Sequence, residues 1–313
     1  MRKIYDCITF FNELEVLEVR LQELYNYVDY FVIAEANTTH AGNSKPFNLL
    51  NNWEKIKPYS DKIIYIKVED MPGAPITDTI FNTKNGEMEI HRNHWPNELH
   101  QRNCTNRGLY NINDEDIVII SDLDEIPRGS LIGQIRNDYV HTHWAFRMPL
   151  FQYKFNYMCT TPLTFQVQSQ AFVYKRLKNY QTISSARDYG WNWINRIKAY
   201  DDGNDLCLPH GGWHFTNMGS SERVAYKLLQ FSHGKEDTIF RKNLSNSINV
   251  DKLISKGNGT VENTKLDIVD LDNYFPEVLL NNKEKFKEFI LPNSGVTAMD
   301  KLKIIDMNSS LQY

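Results

Sequence analysis

The N-terminal part of the chain places a strand, an amphipathic helix and two more strands in succession, and this order constrains the fold more than any other feature. Ile4–Phe10 (IYDCITF) is rich in aromatic and β-branched residues and predicts a buried strand. Tyr30–Ala34 and Lys62–Val68 predict the next two strands. Strand, helix and strand at this spacing predict parallel βαβ units and therefore an α/β fold with an open sheet.

The helix between the first two strands carries an apolar stripe. Its apolar residues recur at three- and four-residue steps, namely Leu14, Leu17, Leu21, Leu24 and Val28. We interpret Asn12 as the cap of this helix. The charged residues of the opposite face are expected to point to water, namely Glu15, Glu18, Arg20 and Glu23.

The rest of the chain extends this pattern and then changes character. Residues 69–92 contain prolines and glycines but little periodicity and predict a long loop. A helix is predicted at His94–Tyr110 and a strongly apolar strand at Asp116–Ser121. Period-two alternation over residues 144–174 predicts antiparallel strands, whereas residues 181–212 are expected to be irregular. Further helices are predicted at Leu131–Tyr139, Ser220–His233 and Pro276–Ile290.

Asp122, Asp124 and Glu125 form the most informative motif, because they directly follow the apolar strand (IVIISDLDE). Ligands of open α/β sheets bind beyond the carboxyl ends of the strands. Clustered carboxylates repel one another unless a cation lies among them, and Mn²⁺ or Mg²⁺ prefers such oxygen ligands. The sequence therefore predicts a divalent-cation site that shares its ion with substrate phosphates. The alternative is a solvated acidic turn that caps a helix beginning near Gly129.

Three polar residues end or follow the first two predicted strands. If these strands are parallel, Thr9, Asn12 and Glu35 lie on the same edge of the sheet as Asp122. A carboxylate at this edge can accept hydrogen bonds from a ribose or a base, although Glu35 can equally pair with a nearby Lys or Arg. The sequence contains neither GxGxxG nor GxxxxGK[ST], which argues against a dinucleotide or phosphate-loop site.

A second cluster of unusual residues is HGGWH, which ends at His214. Its two glycines permit close backbone approach, and His214 beside Trp213 can present an imidazole to a metal. The alternative is a core histidine that bonds to the backbone. In the helix that follows, Lys227 and His233 are candidates for contacting phosphate.

Composition and charge limit the function classes. Lys and Arg total 35 against 39 Asp and Glu, so the chain lacks the basic excess that is typical of proteins that bind nucleic acid. No apolar run approaches the roughly 20 residues that cross a bilayer, and the N-terminus does not have the pattern of a secretory signal. The 4 cysteines form no CxxC pair, so we expect reduced thiols.

Four segments in this order resemble glycosyltransferase family 17: YDCITFFNELEVLEVRL, FVIAEANTTHAG, IISDLDEIPR and GGWHFTNMGSSERVAYKL. The closing PEVLLNNKEKFKEFILP is also similar, so the resemblance runs from Ile4 to Pro292. It implies a GT-A fold, an open mixed sheet flanked by helices with an antiparallel acceptor-side region. It also implies inverting transfer of a sugar, GlcNAc from UDP-GlcNAc, to a hydroxyl group of a glycan acceptor. UDP-glucose or UDP-galactose would use the same diphosphate contacts.

The resemblance also implies roles for individual residues. Asp122 and Asp124 become the DxD pair that holds Mn²⁺ (or Mg²⁺) and the donor diphosphate, and His214 becomes a further metal ligand. Glu35 falls where such folds contact the uridine. Lys227, Arg187 or His233 is expected to help the UDP leaving group depart.

An inverting enzyme needs a general base that takes the proton of the acceptor hydroxyl. In GT-A enzymes the base usually lies between the DxD motif and the C-terminal histidine. We favour Asp188 there, because Trp191 and Trp193 beside it can stack on sugar faces, and we keep Glu222 in reserve. Other aspartates in this region are Asp201, Asp202 and Asp205.

We expect one catalytic domain at residues 1–292. Its nucleotide-sugar-binding half is expected at residues 1–140, its acceptor-side half at 141–292, and a peripheral tail at 293–313. Golgi members of the family carry a membrane anchor and a stem, and this chain starts almost directly at the first strand. We therefore expect a bacterial or viral relative that works in a cytoplasm.

Two other function classes remain open at this point. A metal-dependent nucleotidyltransferase or nucleotide-sugar hydrolase would also place carboxylates at strand ends, and it would release nucleotide without an acceptor. A non-catalytic glycan-binding module is suggested by the aromatic content of 12% and by Trp191, Trp193 and Trp213. Such a module would bind glycan whether or not metal and UDP-sugar are present.

Overall fold

The computed structural model describes residues 1–73, 78–82, 88–92, 95–161, 165–189, 203–230 and 244–303, with only the backbone described in the two shortest ranges. The described strands are β1 (Ile4–Phe10), β2 (Tyr30–Ala36), β3 (Ile63–Val68), β4 (Asp78–Asn82), β5 (Met88–Arg92), β6 (Ile117–Ile120), β7 (Glu125–Pro127), β8 (His143–Phe146), β9 (Met148–Gln152), β10 (Tyr157–Thr161), β11 (Phe165–Gln166), β12 (Gln170–Val173), β13 (Asp205–Leu208), β14 (Gly212–Thr216) and β15 (Lys265–Ile268).

The described α-helices are α1 (Leu14–Leu24), α2 (Asn48–Asn51), α3 (Trp53–Ile56), α4 (Trp95–Asn103), α5 (Gly129–Arg136), α6 (Tyr174–Leu177), α7 (residues 183–189), α8 (Ser221–Gln230), α9 (Ser247–Ser255), α10 (Glu277–Asn281) and α11 (residues 298–303). Short 3₁₀ helices lie at Lys57–Lys62, Cys104–Gly108 and Lys287–Phe289.

The main sheet has 7 strands in the order β13-β8-β12-β6-β1-β2-β3. β3, β2, β1 and β6 run parallel to one another, and β12 pairs antiparallel with both β6 and β8. The predicted parallel βαβ start is therefore confirmed, and so is the open mixed sheet. Because β1 and β6 are parallel, their carboxyl ends meet at one edge of the sheet.

A second sheet has 6 strands and contains most of the region that was predicted to be antiparallel. β9 pairs antiparallel with β10 and β11, and β14 lies between β9 and β7. β7 begins directly after the acidic motif, so this sheet connects that motif to β14. The close approach that the glycines of HGGWH permit is confirmed, because a Cβ on Gly212 would lie 2.0 Å from the carbonyl oxygen of Ile126.

Helix α1 packs against the main sheet much as its apolar stripe predicts. Leu17, Leu21 and Leu24 are buried in the largest apolar cluster. Two predictions for this helix are wrong. The cap position is Glu13, and no side chain caps the helix, so Asn12 is not its cap. Arg20 is 0% exposed instead of facing water, since it is bound to Asp6 beneath the sheet edge.

Two segments predicted to be irregular contain regular structure. In the predicted loop at residues 69–92, β4 and β5 pair as an antiparallel hairpin. Within residues 181–212, α7 precedes β13, which pairs parallel with β8 at the edge of the main sheet. These elements are short and depend on partners that are distant in sequence, so local periodicity does not reveal them.

The C-terminal part also differs from its prediction. Pro276–Ile290 is α-helical only over Glu277–Asn281, although it ends in a 3₁₀ turn. The segment expected to be a peripheral tail packs on the core in its described part, since Ala298 and Leu302 are fully buried in the largest apolar cluster.

Two further sequence expectations concern the whole chain. The cysteines are buried free thiols, as expected. Within the described ranges, no helix combines the length and apolar character that crossing a bilayer requires. The cytoplasmic location stays a prediction.

Candidate functional site

A cavity of about 880 Å³ opens at the edge of the main sheet where β1 and β6 end. A volume of this size suits a drug-sized or nucleotide-sized ligand. The cavity brings together seven of the residues that the sequence singled out. Those in its lining are Thr9, Asp122, Asp124, Arg187, Asp188, His214 and Lys227.

Arg20 holds the acidic turn in place from below. Its guanidinium donates to both carboxylate oxygens of Asp6, at 2.6 and 2.7 Å, and to the hydroxyl of Ser121 at 2.6 Å. It also donates to three backbone carbonyl oxygens of the turn, those of Asp122, Leu123 and Glu125, at 2.8–3.2 Å. The backbone of the turn is therefore fixed by one buried side chain.

The Asp122 carboxylate faces the cavity with 33% of its side chain exposed. Arg102 donates to its Oδ1 at 2.9 Å and Arg187 donates to its Oδ2 at 3.0 Å. Burial alone would raise the pKa of Asp122, but Arg187 and Arg102 outweigh it and hold the pKa well below its usual range. Asp122 is therefore ionised and keeps lone pairs for a further cation.

Asp124 is more buried and is bound by residues of α8 and β14. Lys227 donates to its Oδ2 at 3.1 Å, and His214 Nε2 lies 3.5 Å from its Oδ1. Burial raises the pKa of Asp124, but Lys227 and His214 more than offset it and hold the pKa well below its usual range. Lys227 also pairs with the buried Glu13 at 2.8 Å.

The pairing of β14 with β7 explains how His214 reaches this position. His214 stands opposite Glu125 in the register of the two strands, one residue from Asp124. Burial lowers the pKa of His214, but its contact with Asp124 outweighs burial and raises the pKa above its ordinary value. The Nδ1 atom of His214 is buried and has no hydrogen-bond partner in the structure.

Glu125 turns away from the open side of the cavity. Its side chain is 1% exposed, accepts the backbone N–H of Asp122 at 2.9 Å and binds Arg187 at 2.7 Å. Burial raises the pKa of Glu125, although Arg187 opposes the shift. Glu125 therefore helps to shape the turn and to position Arg187.

Only one of the three polar residues predicted at the strand ends lines the cavity. Thr9 lines the cavity, whereas Asn12 and Glu35 are not among the described residues that line it. Glu35 is fully buried and accepts hydrogen bonds from Tyr65 at 2.9 Å and from the backbone N–H of Leu49 at 3.0 Å. Lys45 lies 3.4 Å from the same carboxylate. Glu35 thus holds the segment that leads into α2, as a structural carboxylate does.

Of the two candidates for the general base, only Asp188 lies at the cavity. It is exposed on α7, next to Arg187. Glu222 is exposed at the start of α8 and is not among the described lining residues. Trp213 is 1% exposed beneath the guanidinium of Arg128, so it belongs to the core and offers no face to a glycan.

Several other predicted site residues lie outside the described part of the chain: Trp191, Trp193, Asp201, Asp202 and His233. Asp205 is described, and it is buried in an ion pair with Arg176, away from the cavity lining within the described residues.

Sequence reasoning missed α4 as a source of site residues. Arg102, Glu98 and Gln101 of this helix line the cavity together with His40. Glu98 binds Arg102 at 2.7 Å, and this four-residue spacing of opposite charges was the available signal. The lining also carries neutral hydrogen-bonding groups, namely those of Gln152, Gln166, Gln168, Asn217 and Thr260. Gln168 lies beside Arg187, whose Nη2 donates to its Oε1 at 3.4 Å.

The donor set around the acidic turn suits a divalent cation. Among the described residues, six carboxylates surround the turn (Asp6, Glu13, Glu98, Asp122, Asp124 and Glu125) against four permanent cations (Arg20, Arg102, Arg187 and Lys227). A dianionic diphosphate would add negative charge to a region that already has an excess of it. A hard cation bound by oxygen atoms of Asp122 and Asp124 would compensate the negative charge of the carboxylates and of the diphosphate. The residues present therefore fit Mn²⁺ or Mg²⁺.

The sequence profile of glycosyltransferase family 17 matches residues 1–297. This chain belongs to glycosyltransferase family 17. The resemblance predicted from the four motifs is thereby confirmed, and so is the prediction of a glycosyltransferase.

Curated relatives of this family 17 protein occur in Rattus norvegicus, Homo sapiens and Mus musculus, and each is named beta-1,4-mannosyl-glycoprotein 4-beta-N-acetylglucosaminyltransferase. Each is 23% identical over 318 residues, an alignment that covers 93% of this chain and 55% of the relative. The chain therefore spans about half the length of the curated relatives that it matches.

A solved structure, that of the glycosyltransferase GlyE in Streptococcus pneumoniae TIGR4, is similar to this family 17 protein with a TM-score of 0.32 and 10% identity. The similarity covers 66% of this chain and 46% of that chain. A likeness this low carries no argument about fold or mechanism. The mixed α/β architecture rests on the strand pairing itself.

One cluster of the family 17 protein away from the cavity has ligand types that suit a transition metal. Atoms of Asp70, His100 and Cys104 lie within 4.8 Å of one another. Arg107 donates to both oxygens of Asp70, at 3.1 and 2.6 Å, and lowers the pKa of this carboxyl group to about 2. The carboxylate is already compensated by a bidentate ion pair, so we do not assign a metal to this cluster.

Proposed function

We propose that this family 17 protein is an inverting, metal-dependent glycosyltransferase with a GT-A fold that moves GlcNAc from UDP-GlcNAc to a hydroxyl group of a glycan acceptor. The single observation that carries the proposal is the convergence of Asp122, Asp124 and Lys227 in one cavity at the edge where β1 and β6 end. The names of the curated relatives support GlcNAc as the sugar.

The acidic turn and its neighbours are proposed to bind the donor diphosphate. When bound, Mn²⁺ or Mg²⁺ supplies a positive charge that compensates the departing diphosphate. Asp122 and Asp124 would hold that ion through carboxylate oxygens, with His214 beside Asp124. Lys227 contacts Asp124 at 3.1 Å and adds a permanent positive charge that orients the phosphate oxygens.

Asp188 is proposed as the general base. Its side chain is exposed at the cavity, next in sequence to Arg187 at the acidic turn. In a single displacement the acceptor oxygen bonds to the anomeric carbon while the bond from that carbon to the diphosphate breaks. The proton of the acceptor hydroxyl passes to the Asp188 carboxylate.

The neutral hydrogen-bonding side chains of the cavity lining are proposed to bind the sugars. Amide and hydroxyl groups, such as those of Gln168 and Asn217, match the hydroxyl groups of a carbohydrate as donors and acceptors. Residues of both proposed halves, 1–140 and 141–292, contribute to the cavity. We retain this division because the acidic turn lies in the first half and the neutral lining residues named above lie in the second, although Arg187, His214 and Lys227 of the second half also face the donor.

A nucleotide-sugar hydrolase is the second candidate, because the same carboxylates would serve it. The two are separated by measuring UDP release from UDP-GlcNAc with Mn²⁺, in the presence and absence of glycan acceptors. A transferase releases UDP in step with acceptor modification, whereas a hydrolase releases it equally without acceptor. A thermal-shift screen of UDP-sugars with Mn²⁺ identifies the donor first, since a ligand of the native state raises the melting temperature.

A further inference from the structure

Two guanidinium groups share one carboxylate at the acidic turn. Arg102 from α4 binds Asp122 Oδ1 at 2.9 Å, and Arg187 from α7 binds Asp122 Oδ2 at 3.0 Å. Each arginine is also held by its own second carboxylate, Glu98 for Arg102 and Glu125 for Arg187, both at 2.7 Å. The two cations are therefore preorganised side by side and face the cavity together.

Both guanidinium groups have hydrogen-bonding capacity that the described residues do not use. All the hydrogen bonds of Arg102 and Arg187 to described residues leave from one nitrogen, Nη2. The Nε atom of each is buried and has no hydrogen-bond partner among the described residues. A buried donor without a partner is costly, and Arg102 is only 4% exposed. An acceptor with several oxygen atoms in the cavity would use part of this free capacity.

A diphosphate has the charge and the geometry of such an acceptor. The planar guanidinium fork matches phosphate oxygens in bidentate fashion, and such charge-assisted bonds are stronger than neutral ones. In the absence of ligand, the Asp122 carboxylate takes the place of this anion between the two arginines.

We infer that Arg102 and Arg187 bind the diphosphate group of a nucleoside diphosphate, and that Asp122 is the internal anion that this group displaces from them. The inference rests on the proposed function for the nucleotide part of the ligand. During transfer, the two arginines stabilise the negative charge that the diphosphate gains when its bond to the anomeric carbon breaks. Displacement also leaves the Asp122 oxygens available to a divalent cation.

The test is calorimetric titration of UDP, uridine and inorganic pyrophosphate into the full chain and its variants. Arg102→Gln and Arg187→Gln are each expected to weaken UDP and pyrophosphate binding about tenfold. Uridine binding is expected to stay unchanged, because it has no phosphate. General damage to the cavity would weaken uridine binding as well, so the ratio of UDP affinity to uridine affinity is the decisive readout.

Arg107→Gln is the matched control. Arg107 lies near Arg102 in sequence but pairs with Asp70 at the surface, with 44% of its side chain exposed. Its substitution is expected to leave UDP and pyrophosphate binding unchanged. Arg102→Lys and Arg187→Lys keep the charge without the fork, so they test the inference if a glutamine variant does not fold. They are expected to bind diphosphate more weakly than the wild type.

Asp122→Asn is expected to strengthen pyrophosphate binding, whereas the arginine variants weaken it. With EDTA present, this variant is expected to bind pyrophosphate more tightly than the wild type, because the competing internal anion is removed. Equal or weaker binding by Asp122→Asn in EDTA would overturn the displacement, and unchanged diphosphate binding by the arginine variants would overturn their role. If UDP-GlcNAc is no substrate while pyrophosphate binding still depends on both arginines, the proposed function fails and this inference stands.

Discussion

Arg20 and Asp6 form a bidentate ion pair with both side chains 0% exposed, at 2.6 and 2.7 Å, directly beneath the acidic turn. Asp6 lies on β1 and Arg20 on α1, so the pair joins the first two elements of the chain. Since Arg20 also binds three carbonyl oxygens of the turn, the geometry of Asp122 and Asp124 depends on this pair.

Arg20→Ala is expected to destabilise the protein strongly. Removing one partner of a buried pair leaves an uncompensated charge, here on Asp6, at a cost of about 3–5 kcal/mol. The free energy of unfolding from urea denaturation measures this loss. Lys285→Ala, which removes the surface pair with Glu18, is the control and is expected to cost less than about 1 kcal/mol. Equal losses for the two variants would contradict the role of Arg20.

Gly212→Ala is expected to disturb the site through the backbone. A Cβ at this position would lie 2.0 Å from the carbonyl oxygen of Ile126, so β7 and β14 must move apart. Such overpacking costs about 1–3 kcal/mol and shifts His214 relative to Asp124. Gly133→Ala in α5 is the control, because its Cβ would meet only the ring of Tyr27, at 3.3 Å. Urea denaturation of both variants checks this, and a Gly212→Ala variant as stable as Gly133→Ala would contradict it.

Asp188→Asn is expected to lower turnover about 10²–10⁴-fold with the KM for the donor retained, because a general base acts only in the chemical step. Steady-state kinetics with a glycan acceptor measures both constants. Glu222→Gln, at an exposed position outside the described cavity lining, is expected to have near wild-type turnover. If Glu222→Gln loses turnover and Asp188→Asn keeps it, the base is Glu222.

The Asp205 carboxyl group makes the free energy of unfolding depend on pH in the acid range. Burial raises its pKa, but hydrogen bonds from His143 at 2.8 Å and from Arg176 outweigh burial and lower the pKa from 3.8 to about 2. The stabilisation is therefore present above the unfolded value of 3.8 and is lost as the pH falls through about 2. Urea denaturation at decreasing pH measures the free energy of unfolding. Below pH 3.8, the pKa of Asp205 in the unfolded chain, this free energy is expected to fall less for Asp205→Asn than for the wild type. Identical pH profiles would contradict the assignment.

The part of the site that was predictable from sequence follows from strand order. The apolar run before Asp122 predicted a central strand, and the rule that ligands bind beyond strand ends then located the acidic turn correctly. Lys227 and His214 were also identified, because an amphipathic helix and a glycine pair position them.

The rest depends on contacts between residues that are distant in sequence. The burial of Arg20 results from Asp6 and from carbonyl groups about 100 residues away, which no helical periodicity reveals. Glu35 lies at the predicted edge of the sheet, but its carboxylate accepts hydrogen bonds from Tyr65 and from the backbone of Leu49. Its position in the strand did not reveal these partners. Arg102 lies on a helix whose orientation only the tertiary fold determines.

The central claim is that Asp122 and Asp124 hold a divalent cation that binds the donor diphosphate. Calorimetric titration of UDP-GlcNAc in Mn²⁺ and in EDTA, with the wild type, Asp124→Asn and Asp188→Asn, tests it most directly. We predict that Mn²⁺ strongly tightens donor binding to the wild type and to Asp188→Asn, and that Asp124→Asn loses this dependence while keeping its fold by circular dichroism. Equally tight wild-type binding in EDTA, or an Asp124→Asn variant with full Mn²⁺ dependence, would contradict the claim.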